Sequence, residues 1–106
     1  MSNYSYKEIR DEIIGLNQKL PIEIRGIVVK NSKTVLIIDY DFSECIAQIS
    51  VTNLENTPYQ YVFMDVMDNT TSNSIYNVFD DEKSEKITIL KKLEKAIEFC
   101  ENYRGK

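Results

Sequence analysis

Histidine is absent from this 106-residue chain, and with it the commonest general base and the commonest zinc ligand. Cysteine occurs twice, at Cys45 and Cys100, too rarely for a disulfide framework and with no Cys-x-x-Cys context. Cys100 falls on an apolar helix stripe and Cys45 at a strand start, so both read as small buried hydrophobes. Glycine occurs three times, at Gly15, Gly26 and Gly105, which leaves no phosphate-cradling loop. There is no Gly-x-Ser-x-Gly elbow and no His-Glu-x-x-His helix. No run approaches 18 apolar residues, and residues 1–4 lack the basic and apolar segments of a leader. These absences predict a non-enzymatic protein in a reduced, cytoplasmic setting, with no cofactor, no metal and no membrane partner.

What is present suits a folded chain. Hydrophobic residues make up 42% and charged residues 28%, a balance that permits one core over a single domain, 1–106. Ser5 and Glu8 form a capping box, in which each side chain satisfies the other's free backbone N–H. Ile9, Ile13, Leu16 and Leu20 follow at helical spacing, and Pro21 ends that helix. Strand patterns then occupy residues 22–30, 34–41, 45–51 and 59–67, with a shorter one at 75–79. A second amphipathic helix is predicted over 84–103, its stripe formed by Leu90, Leu93, Ile97 and Cys100 and widened by Ile87, Ile89, Ala96 and Tyr103. Short strands joined by short loops pair antiparallel, because parallel pairs need long crossovers. The expected fold is therefore α+β, a two-layer sandwich of order α-β-β-β-β(-β)-α. Its meander of four to five antiparallel strands has the N- and C-terminal helices on one face. The other face is left for water or for a partner.

The formal charge of −4 hides a strong segregation. Residues 34–82 contain no Lys or Arg and nine acids, whereas residues 1–33 sum to +2 and residues 83–106 to +3. Clustered charge of one sign opposes folding through self-repulsion, yet it steers association with an oppositely charged partner. It also argues against direct nucleic-acid binding, which needs a basic footprint on phosphate. Most of the aromatic residues share this stretch. Alternation along residues 59–67 sets Tyr59, Tyr61, Phe63, Asp65 and Met67 on one face and Val62, Met64 and Val66 on the other. The valine and methionine side reads as core, and tyrosine beside aspartate reads as a protein-binding surface. Asp39, Tyr40, Asp41, Glu44, Tyr59, Tyr61, Asp65 and Asp68 are accordingly the candidate partner-binding residues. The run of Asp39, Asp41 and Glu44 lacks EF-hand spacing and its turn glycine, so solvated acids are expected there.

The expected function is that of a small acidic inhibitor or interaction protein docking on a basic protein. A bacterial immunity protein or antitoxin that covers the cationic cleft of a toxin such as a nuclease is the leading version. An abundance of Ile, Lys, Asn and Tyr, whose codons are A/T-rich, suits a bacterial, phage or plasmid origin. Two alternatives stand beside it: a phage-encoded anti-defence inhibitor or nucleic-acid mimic, and a homo-oligomeric structural module.

Overall fold

A computed structural model describes residues 3–53 and 60–105. Helix α1 (Tyr6–Lys19) leads into strands β1 (Ile27–Asn31), β2 (Val35–Asp41), β3 (Cys45–Thr52), β4 (Val62–Asp68) and β5 (Ser74–Phe79), and helix α2 (Lys86–Asn102) closes the order. The strands form one antiparallel sheet in sequential order, β1-β2-β3-β4-β5. The α+β meander between two helices is thus the observed architecture.

The capping box forms as expected. The Glu8 amide donates to Ser5 Oγ at 3.1 Å, and the Ser5 amide donates to Glu8 Oε1 at 2.9 Å. Such a cap contributes on the order of 1 kcal/mol. Below it, Ile9 and Ile13 have no solvent exposure. The Leu20 backbone turns extended, the geometry that a following proline imposes.

Strand β1 starts five residues later than the alternation of 22–30 suggests. Ile24 donates its amide to the Pro21 carbonyl at 3.0 Å, and the Arg25 guanidinium donates to the Leu20 carbonyl, which winds residues 21–25 into a turn. Asn17 then clamps Gly26, accepting from its amide at 2.8 Å and donating to its carbonyl at 3.0 Å. A Cβ at Gly26 would lie 2.5 Å from Ile38 Cγ2 and 2.7 Å from the Tyr40 ring, so only glycine allows this close approach.

Both helices lie on one face of the sheet, α1 over β3 and α2 over β3 and β5. Leu36 and Ile38 on β2, Ile49 and Val51 on β3, and Val62, Met64 and Val66 on β4 are fully buried beneath them. Each such side chain contributes roughly 1.5–3 kcal/mol relative to exposure. On α2 the buried stripe is Ile89, Leu93, Ala96, Ile97 and Cys100, all within the expected apolar face, while Leu90 is only half-buried. Ile87, expected to widen the core, is instead 58% exposed, because the stripe that meets the sheet runs through Ile89 and Leu93.

Candidate functional site

The face opposite the helices carries no covering element among the described residues. Its side chains come from the odd positions of β2 and β4 and the even positions of β3, as strand alternation dictates. Register then aligns one residue from each strand into a row across the sheet. Ile27 pairs with Asp39, Asp39 with Gln48, Gln48 with Asp65, and Asp65 with Asn77. A parallel row sets Asp41, Ile46 and Met67 beside it, and on the other side Phe63 neighbours Phe79. A groove of about 620 Å³ follows this face, with Ile27, Ile46, Phe63 and Met67 as apolar walls and Arg25 at its rim.

The carboxylates in the row are held by neutral donors. Gln48 Nε2 donates to Asp39 at 2.8 Å. Ser74 Oγ donates to Asp65 at 2.6 Å, and Asn77 Nδ2 donates to the same oxygen at 2.7 Å. No ion pair with Asp39, Asp41 or Asp65 forms among the described residues. Amide and hydroxyl donors orient a carboxylate without cancelling its charge, so the row presents negative potential beside apolar surface. Among the described residues, no group of three or more acids or cysteines gathers closely enough to hold a metal ion.

Of the eight candidate residues, Asp39, Asp41 and Asp65 share this face. Tyr40 does not: it is 3% exposed, on the helix side of β2, and its hydroxyl donates to Asn17 Oδ1 at 2.9 Å. The reason is period two, which places position 40 with Leu36 and Ile38 rather than with its two aspartate neighbours. Asp68 also points to the helix side and is 8% exposed. It accepts from the Thr70 and Thr71 amides at 2.8 Å and from the Tyr103 hydroxyl, an assembly that shapes the β4–β5 turn and tethers the end of α2. Glu44 is exposed in the β2–β3 turn and lines the same end of the sheet as Asp68 and Tyr103. Tyr61 sits against the rings of Tyr4 and Tyr6, with centroids 6.0 and 6.4 Å away, because the chain bends before β4 and strand alternation does not reach back to it. Tyr59 lies outside the described residues.

The count of nine acids therefore overstates the acidic surface. Asp80 is 1% exposed and serves as an internal acceptor. Its Oδ1 accepts from the Gln60, Tyr61 and Val62 amides at 3.0, 2.8 and 2.9 Å, and its Oδ2 accepts from the Tyr4 hydroxyl at 2.6 Å. Burial and the adjoining Asp80 push the Tyr4 hydroxyl far above its ordinary pKa, so it stays a proton donor. Asp81 is held below the usual carboxylate range by the Lys83 amide and the Ser84 hydroxyl at the entrance to α2.

Gln48, Ile46, Asn77 and Ile27 belong to the open face and were not among the candidates. Alternation in β3 separates Ile46 and Gln48 from Ile49 and Val51, and that much is visible in the chain. Their position beside Asp39 and Asp65 depends on register. No family model, curated protein or solved structure matches this chain, so the surface is read from its own chemistry.

Proposed function

We propose that this chain is a partner-binding protein that holds a basic protein surface against the open face of its sheet. The observation that carries the reading is the row of Asp39 and Asp65 around Gln48, with Asp41 beside it. Among the described residues these charges form no ion pair, and they line a groove with apolar walls that has Arg25 at its rim. Lysine and arginine side chains have an apolar stem and a charged head, so stems laid on Ile46, Phe63 and Met67 bring heads to the carboxylates. Methionine adapts its shape to such a guest, and the rings supply the dry centre that interfaces concentrate their energy in. An immunity protein or antitoxin that closes the cationic cleft of a nuclease toxin is the version that this surface fits. Exposed carboxylates offer such a cleft a negative charge in place of phosphate.

The test places a photo-crosslinking amino acid at Gln48 in one variant and at the exposed Lys91 of α2 in another, each expressed in the native cell. Gln48 is expected to capture a protein with a basic surface, and Lys91 is not. Purified partner should then bind the Asp39→Lys, Asp41→Lys, Asp65→Lys triple variant at least about 100-fold more weakly, with a flatter salt dependence. Capture through Lys91 alone, or unchanged affinity and salt slope in the triple variant, overturns the reading.

A further inference from the structure

On the opposite side of the molecule, α1 and α2 leave a second groove, of about 350 Å³, between their outward flanks. Leu16, Leu20, Ile87 and Leu90 line it, with Glu12 and Lys19 on α1 and Glu94 on α2 at its rim. Gly15 lies in its wall, and a Cβ added there would meet nothing within 4 Å. The monomer therefore has no packing need for glycine at this position, although a mid-helix glycine costs about 1 kcal/mol relative to alanine. The missing side chain at Gly15 leaves open space, a notch in the wall of the groove.

Charge along the same flank is self-complementary. Glu12, Leu16 and Lys19 follow at spacings of four and three and so share one stripe of α1. A twofold axis midway between Gly15 and Leu16, with the two α1 helices antiparallel, brings each residue opposite a fixed mate. Leu16 then enters the notch at Gly15 of the second copy, and Glu12 meets Lys19 of the second copy, twice over by symmetry. Lys19 has no ion pair among the described residues. Glu12 has a solvent-exposed one, with Lys86 at 3.7 Å, and Lys86 also reaches Glu8 at 4.0 Å. Exposed pairs of that kind are worth at most about 1 kcal/mol, so the exchange costs little. Ile87, 58% exposed beside the groove, gains cover in the same arrangement.

We infer that the helix layer is a self-association surface, on which a second copy of this chain docks α1 against α1 in antiparallel fashion. The surface lies behind the sheet face assigned to the basic partner, so each can fail without the other. Sedimentation equilibrium of the full chain from 10 µM to 1 mM, roughly the range in which small wet interfaces associate, tests it directly. A reversible dimer is expected in the wild type. Lys19→Glu, which sets acid against acid, should weaken it about tenfold or more, and the swap Glu12→Lys with Lys19→Glu should restore it. Gly15→Leu, which fills the notch, should abolish the dimer while the thermal midpoint holds or rises. A wild type monomeric throughout, a Gly15→Leu variant that dimerises as the wild type does, or a swap that restores nothing overturns the inference.

Discussion

On β3, Gln48 and Ile49 are consecutive residues in opposite surroundings. Ile49 has no solvent exposure beneath the helices, whereas Gln48 lies exposed between Asp39 and Asp65. The covered face holds mostly aliphatic residues buried beneath the helices, where the loss of even one methylene group is felt. The open face holds acids oriented by amides and a hydroxyl, with a few apolar side chains between them. Stability thus resides in one face, which leaves the other free to carry like charges that would be costly inside. Solvent screens their mutual repulsion, while their combined field still extends beyond contact distance, as the proposed docking of a basic partner requires.

The sharpest break of this contrast comes from truncating the two neighbours. Ile49→Ala should lower unfolding free energy by about 2–5 kcal/mol, and Gln48→Ala should stay within about 0.5 kcal/mol of wild type. Denaturant midpoints measure both, and comparable losses would erase the distinction between the faces. A second contrast sets one aspartate against another. Asp80→Ala strips the acceptor from the Tyr61 and Val62 amides and from the Tyr4 hydroxyl, and should cost about 2–3 kcal/mol. Asp39→Ala removes an exposed carboxylate and should cost less than about 0.5 kcal/mol.

The smallest effect is a pH dependence located at the sheet end, away from the groove. The Tyr103 hydroxyl, followed by the Thr71 amide, holds the Asp68 carboxyl below its ordinary 3.8. Its contribution is full above pH of about 4 and is lost as pH falls through the lowered value. The same bond pushes Tyr103 from 10 up to about 12, so its contribution is full below pH 10 and is lost as pH rises toward 12. Tyr103→Phe should therefore flatten the stability profile at both ends, read as thermal midpoint against pH. A variant profile parallel to the wild type would mean that the pair contributes nothing.

Much of the fold was legible because its signals are local. The Ser5–Glu8 box, the Pro21 stop and the apolar spacing of α1 each involve residues within one or two helical turns. The alternation of Val62, Met64 and Val66 assigned the buried side of β4 for the same reason. The site was legible only in part. Asp39, Asp41 and Asp65 reach the open face, whereas Tyr40, read as a candidate beside them, falls on the buried side, as strand alternation requires. Asp68 and Asp80 read as surface charge in a chain of letters, yet each closes a set of backbone and hydroxyl donors supplied by distant residues. A net count of acids carries no such information.

The sequence by itself determined the element order, the antiparallel meander and the two faces of β2, β3 and the body of β4, since these follow from spacing and from short connections. The tertiary structure decided which faces meet and which acids remain charged surface. It lined up Asp39, Gln48, Asp65 and Asn77 through inter-strand register, turned Asp80 and Asp68 inward, and left Ile87 outside the core. Register and burial are properties of pairs far apart in the chain, set by the packing of all the layers at once.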